Sequence, residues 1–340
     1  MATTEQIGIV STGYYLPPTR KSVAEVFRDE DFPTSSPAAG VDFRRDIGIE
    51  AVHLAVDELP SQLGLEASRR ALAAGGVEPD QIDLIVDFTS IPEDYVAPTW
   101  AAAGLVQEEL GAAGALATAV NTGGCASYHV ALKTACAMLR ADPSLETALL
   151  FAGDKTPALN KTYFPITVTC DGGSAVVVRK GHDRQAVLAV EVVTVGALHD
   201  VWYVPGITNP EPGEPVSEKL LHMKSDLELF QKNVIPINLF MFRRVMTACV
   251  KRAGLTLADV DYFVYPTFSD WDLKGFCKGM RIEPEKLYAD GLGRHGHIQE
   301  NDMVVNYEDA VGEGLIGDGD LVMVTTNGAG FTWGAALVRH

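Results

Sequence analysis

The sequence predicts an α/β protein built from two copies of one lobe, and three observations carry that reading. The chain has 340 residues, enough for two domains or one two-lobed fold. Short apolar runs alternate with helix-patterned segments, the rhythm of strands covered on both faces by helices. One block also recurs. Ala74 to Thr89 (AGGVEPDQIDLIVDFT) aligns with Arg252 to Thr267 (RAGLTLADVDYFVYPT), every pair standing 178 residues apart.

The elements follow in chain order. Ile7 to Ser11 reads as a first strand. Glu66 to Ala74 (EASRRALAA) reads as an amphipathic helix stopped by Gly75 and Gly76. Asp83 to Phe88 is a short run of strand formers, and Leu116 to Val120 is another apolar run. Val130 to Leu139 is apolar almost all round and reads as a buried helix. Ala148 to Ala152 and Ser174 to Val178 are further strands. In the second half, Gly254, Val260, Asp261, Val264 and Thr267 stand where Gly76, Ile82, Asp83, Val86 and Thr89 stand in the first. Later, Leu149 to Gly153 is echoed by Val322 to Thr326, and Gly173 to Val178 by Gly334 to Val338. Any two helix–turn–strand units resemble each other to a degree, but the constant offset favours duplication, and a period this long is not a solenoid. The expected halves are residues 1–180 and 181–340. Ala197 to Pro236, rich in Pro, Gly, Lys and His, reads as an excursion between them that lines a way in for substrate.

Composition narrows the function. Apolar residues are 47% of the chain and charged residues 21%, with no low-complexity run, so disorder is excluded as the main theme. Acidic residues number 45 against 27 basic, a net charge of -18. Such a surface repels phosphate backbones and anionic lipid, which argues against nucleic-acid and membrane partners. No run has the length of a membrane-spanning helix, and Met1 to Gln6 lacks the basic start of a secretory signal. The five cysteines, at 125, 136, 170, 249 and 277, are odd in number and show no CxxC pair. A disulfide framework or structural zinc is not expected, and a cytoplasmic location is.

Three stretches carry candidate chemistry. In Asn121 to His129 (NTGGCASYH), Cys125 follows a strand and a Gly-Gly turn and opens a helix. A helix start favours thiolate, and free backbone N–H groups there suit an oxyanion. The other reading is a small buried Cys in a tight turn. In Gly293 to Asp302 (GRHGHIQEND), His297 precedes Asp302 by five residues. A loop His with an Asp at a helix start can be held in one tautomer and supported when cationic. The other reading is a surface loop with Asp302 as a plain helix cap. His295 and His297 have no third metal ligand at suitable spacing, so no metal is expected. In Thr325 to Gly334 (TTNGAGFTWG), small residues permit close approach of backbone to a ligand. Strand residues follow, and the spacing is not that of a dinucleotide loop. A plain glycine-rich hairpin fits equally well.

Over essentially its whole length the chain resembles the ketoacyl synthase III-like enzymes of the thiolase superfamily. The residues that carry the resemblance are GGCASYHVAL at 123–132, CDGGSAVVV at 170–178, DYFVYPTFSD at 261–270, GRHGH at 293–297 and NGAGFTWGAALVR at 327–339. The last is the most specific. The resemblance implies a five-layered αβαβα fold from two duplicated halves, and a homodimer. Condensing members use Cys, His and Asn. Cys125 matches the nucleophile, but Thr267 stands at the His position and His297 at the Asn position, with His295 where a non-catalytic aromatic is usual. Decarboxylative condensation needs two donors to hold an enolate, whereas Cys, His and Asp suit acyl transfer. A divergent subset has His and Asp in an H-x4-D run, as His297 and Asp302 stand here. It includes acyltransferases of natural-product pathways and some priming ketosynthases. Asp46 and Asp272 replace basic residues that condensing members place near coenzyme A and carrier protein, with Arg44 or Arg45 as substitutes.

The expected function is a polyketide-type acyltransferase. An acyl group moves from acyl carrier protein or coenzyme A onto Cys125. The backbone amides of Cys125 and Ala329 form the oxyanion hole, His297 is the base, Asp302 orients it, and Thr267 lies in the substrate pocket. No metal or redox cofactor is required. The rivals are a priming ketosynthase condensing with malonyl-carrier, and a catalytically silent partner subunit.

Overall fold

The computed structural model describes residues 5–26, 47–90, 102–120, 122–156, 163–164, 167–203 and 224–340. Among them lies a mixed sheet of nine strands. They are β1 (Ile7–Tyr15), β2 (Leu84–Asp87), β3 (Leu116–Ala119), β4 (Thr147–Asp154), β5 (Gly172–Lys180), β6 (Ala186–Thr194), β7 (Tyr262–Val264), β8 (Leu321–Gly328) and β9 (Thr332–Arg339). Their order is β7-β8-β9-β6-β1-β5-β4-β2-β3. The two halves meet where β1 and β6 pair at Gly8 and Ala186.

The duplication is visible in this order. In the first half, β2 lies parallel to β3 and β4, and the antiparallel partners β5 and β1 follow. In the second half, β7 lies parallel to β8, and the antiparallel partners β9 and β6 follow. The edge place held by β3 is reduced in the second half to one parallel bridge, Phe263 with Leu287. The repeat glycines do the same work in each copy. Gly76 (φ 58°) and Gly254 (φ 73°) stand at the ends of helices where a left-handed residue satisfies orphan carbonyls, a conformation costly for any residue with a Cβ.

Six main helices complete five layers. α1 (Pro60–Gly75) and α2 (Ala102–Leu110) pack on the outer face of the first half. α4 (Ile235–Arg252) and α5 (Asp270–Met280) cover the outer face of the second. Between the halves lie α3 (Ser127–Ala141) and α6 (Asp302–Gly312), whose Leu132, Ala135, Val304 and Tyr307 share one buried cluster with β1, β4 and β8. Every residue of β4 and β8 is buried, as continuous apolar strands between helical layers must be.

Some boundaries differ from the sequence reading. α1 begins at Pro60 rather than Glu66 because proline suits the first helical position, where no N–H is needed. The first strand runs on to Tyr15, carried past a bulge at Ile9 and Ser11 by its pairing with β5. The segment expected as an excursion holds a short hairpin, Trp202–Tyr203 with Lys224–Ser225, and a helical run from Leu227 into α4. Its residues 204–223 lie outside the described residues, as do Arg44, Arg45, Asp46 and Asn121. Among the described residues no helix is long and apolar enough to cross a membrane.

Candidate active site

The site forms where the starts of the two central helices face each other. After β3 the chain reverses through Gly123 (φ 115°) and Gly124 (φ 53°) and makes one tight turn, Gly124–Ala126, into α3. Of the five cysteines, Cys125 alone is partly exposed, and the other four are buried. The hairpin turn between β8 and β9 lies directly on this loop. A Cβ on Gly124 would strike the Ala329 backbone nitrogen, and one on Gly328 would strike Gly123 O and Cys125 N. Two glycines therefore let two backbones touch. These contacts bring the backbone amides of Cys125 and Ala329 to the same place.

His297 is held by its own backbone. Its N–H donates to Val168 O at 3.0 Å, and its carbonyl accepts from Cys170 N at 2.7 Å. The ring Nδ1 lies 2.6 Å from Asp302 Oδ2, and Nε2 lies 3.5 Å from Cys125 Sγ. Phe268 meets the ring edge-on, centroids 4.6 Å apart. Asp302 is not a plain cap. Asn301 is the residue before the helix, and Asp302 is its first residue. Its carboxylate is fully buried. Besides the imidazole it accepts Thr267 N at 2.8 Å and Ile298 N at 2.7 Å. Two backbone N–H groups already use the carboxylate as an acceptor, and in the same role toward the ring it makes Nδ1 the donor and leaves the Nε2 lone pair to the thiol. The turn between them contains Gln299 at φ 56°, a left-handed non-glycine whose cost of about 1–3 kcal/mol is borne by the surrounding packing.

Burial pushes the Cys125 thiol well above its ordinary value, and the nearby carboxylates of Glu300, Asp302 and Asp154 push it the same way. This direction is opposite to the pull that the start of α3 exerts on a thiol. Glu300 and Asp154 form a second buried feature. Glu300 accepts Ser90 N at 2.6 Å, and Asn301 Nδ2 donates to Asp154 at 3.2 Å. Burial raises Glu300, and the neighbouring Asp154 and Ser90 pull it back down.

Thr267 reaches the site through its backbone. Its N–H holds Asp302, while its hydroxyl is engaged by Asn306, whose Nδ2 donates to Thr267 Oγ1 at 3.0 Å and to Tyr265 O at 2.9 Å. Asp302 and Asn306, one turn apart on α6, thus clamp residues 265–267. His295 turns away, its Nε2 3.6 Å from Asp309. His129 is fully buried against Val324 O at 3.0 Å, and burial pulls its pKa down to about 4. Asn306, Phe268 and the Glu300–Asp154 pair were not singled out in the sequence. Asn306 stands at i+4 from Asp302, the one signal available for it.

This arrangement in a five-layered α/β fold defines a thiolase-fold enzyme of the acyl-transferring or condensing kind. Residues 250–340 match the family model for the C terminal of 3-oxoacyl-[acyl-carrier-protein (ACP)] synthase III, and residues 119–196 match the model for 3-oxoacyl-[acyl-carrier-protein (ACP)] synthase III. A β-ketoacyl-[acyl-carrier-protein] synthase III from Erythrobacter litoralis is 31% identical over 86% of this chain and 88% of its own. One from Clostridium perfringens is 24% identical over 98% and 99%. The crystal structure of the 3-oxoacyl-(acyl carrier protein) synthase III of Pseudomonas aeruginosa PAO1 superposes with a TM-score of 0.80 at 23% identity, over 98% of each chain. The chain belongs to the ketoacyl synthase III-like family.

Proposed function

We propose that this member of the family is an acyltransferase. It takes an acyl group from an acyl-carrier-protein or coenzyme A thioester onto Cys125 and passes it to a hydroxyl, amine or thiol acceptor, in polyketide-type biosynthesis. The observation that carries the reading is the line Cys125 Sγ–His297–Asp302, with 3.5 Å and 2.6 Å separations, together with Thr267 where condensing relatives carry a histidine.

The steps follow from the tautomer. As Sγ attacks the thioester carbonyl, its proton passes to His297 Nε2, and Asp302 stabilises the imidazolium. The amides of Cys125 and Ala329 receive the oxyanion. The donor thiol leaves with the proton from Nε2, and the acyl group stays on sulfur. The acceptor then enters, gives its proton to Nε2, and attacks the acyl-cysteine, and Cys125 recovers its proton as it departs. The sequence calls for no metal or redox cofactor, and the working unit we envisage is a cytoplasmic homodimer.

A second reading, a priming synthase that condenses with malonyl-carrier, is favoured by the names of the relatives at 31% and 24% identity. It asks one imidazole to do what two donors do elsewhere. Intact-protein mass after exposure to a panel of acyl thioesters tests the first reading. Acyl mass on Cys125, lost to an added acceptor without release of carbon dioxide from malonyl-carrier, supports it. No acyl mass, or carbon dioxide release coupled to carbon–carbon bond formation, overturns it.

A further inference from the structure

An open cleft of about 160 Å³ lies beside the site, between α4 and α5. Its walls are aromatic, with Trp202, Phe230, Trp271 and Phe276 among them, and Phe268 and Asn327 also line it. Phe268 lies against the His297 ring, and Asn327 precedes the Gly328–Ala329 turn that covers Cys125.

One carboxylate faces this aromatic space. Asp272 lines the cleft, and its Oδ2 accepts the Tyr265 hydroxyl at 2.8 Å. Among the described residues no Lys or Arg pairs with it. Lys274 on the same helix turns instead to Asp270 at 2.6 Å. Asp272 stands where the resemblance leads one to expect a basic residue. A carboxylate that no Lys or Arg pairs among the described residues, walled by aromatic faces, is a site for an organic cation, since ring faces and carboxylate attract the same charge. The net charge of -18 favours the approach of such a molecule. In a two-step transfer the donor thiol has left before the acceptor arrives, so one cleft serves each in turn.

We propose that the acyl acceptor is a small organic cation, bound in this cleft by Asp272 and the aromatic walls, with its hydroxyl or a second, neutral amine directed to His297. The inference rests on the acyltransferase reading and names the acceptor class for it.

Choline and 3,3-dimethylbutan-1-ol form a suitable pair of probes, alike in shape and hydroxyl group and different in charge. Each is titrated into the resting protein, followed by tryptophan fluorescence, since Trp202 and Trp271 line the cleft. Choline is expected to bind at least about tenfold tighter. Asp272→Asn keeps an oxygen for the Tyr265 hydroxyl and should remove that preference. No binding of choline, equal binding of the two, or a preference that survives Asp272→Asn overturns the proposal. Acyl mass on Cys125 is measured in the same preparations. Charge-selective binding without acyl-enzyme overturns the proposed function and leaves the cation site standing. Acyl-enzyme with charge-blind binding overturns the cation site alone.

Discussion

The Asp302 carboxylate joins two separate pieces of chain through one oxygen: Oδ2 takes His297 Nδ1 at 2.6 Å and Thr267 N at 2.8 Å. The same atom that orients the imidazole anchors the loop carrying Phe268 against it. Replacing it therefore changes both chemistry and structure. In Asp302→Asn an amide NH₂ must face either the Ile298 N–H or the Oδ2 donors. We expect a loss of about 1–3 kcal/mol in denaturant unfolding, and a fall in transfer rate. Its effect on the thiol runs the other way. Loss of one of the carboxylates that raise Cys125 should move the pH profile of iodoacetamide alkylation to lower pH. An unshifted profile would contradict the electrostatic account.

Cys125 itself, in the wild type, should alkylate slowly near neutrality, with a rate still rising beyond pH 9, because its value lies well above 9.0. A raised value keeps the protonated, unreactive form dominant until the pH passes it. Cys125→Ala should form no acyl-enzyme by intact mass. Cys136→Ala should form it normally, since Cys136 is buried in α3 with its thiol pushed up to about 11. A covalent acyl adduct on Cys125→Ala would remove the nucleophile assignment.

His297 and His295 are both 2% exposed, yet only His297 faces sulfur. Single-turnover transfer from acyl-enzyme to acceptor separates them. His297→Ala should slow it by about 10²–10⁴, the range for a lost general base. His295→Ala should lose mainly stability through its contact with Asp309. Equal rates in the two variants would reverse the assignment.

Thr267→Ala keeps the backbone N–H that holds Asp302 and removes only the hydroxyl bonded to Asn306. Transfer should remain within about tenfold of wild type, or ~1.4 kcal/mol. A loss as severe as that of His297→Ala, measured in the same single-turnover assay, would make the hydroxyl a participant in the chemistry.

Gly328→Ala places a Cβ against Gly123 O and Cys125 N, backbone atoms that cannot rotate away. The Ala329 turn must lift from the nucleophile loop. Acylation of Cys125 should fall more than the thermal midpoint does, and a variant that acylates at the wild-type rate would show that the Ala329 amide is not needed there.

Much of the architecture was legible because it depends on local chemistry. The period-178 repeat, the glycines at 76 and 254, and the apolar runs of β2, β4 and β8 each state a requirement that neighbouring residues impose on one another. The Cys125 turn was legible for the same reason, since Gly123 and Gly124 take positive φ beside a helix start. The H-x4-D run was legible as a spacing, but the spacing did not tell a paired imidazole from a plain helix cap. His297 meets Asp302 only because Val168 and Cys170 hold its backbone and α6 begins at Asp302. These are contacts across more than a hundred residues.

By itself the sequence determined the duplicated α/β fold and the Gly-Gly turn that leads through Cys125 into α3, because propensity and periodicity are properties of nearby residues. Only the tertiary structure decided the surroundings of the thiol. Burial, the adjacent Glu300 and Asp302, and Asp154 at the end of β4 all raise it. It also decided that the Thr267 N–H donates to Asp302 and that Asp272 lines an aromatic cleft. Burial and electrostatics depend on distance in space, and that distance is set when the two halves pack against their central helices.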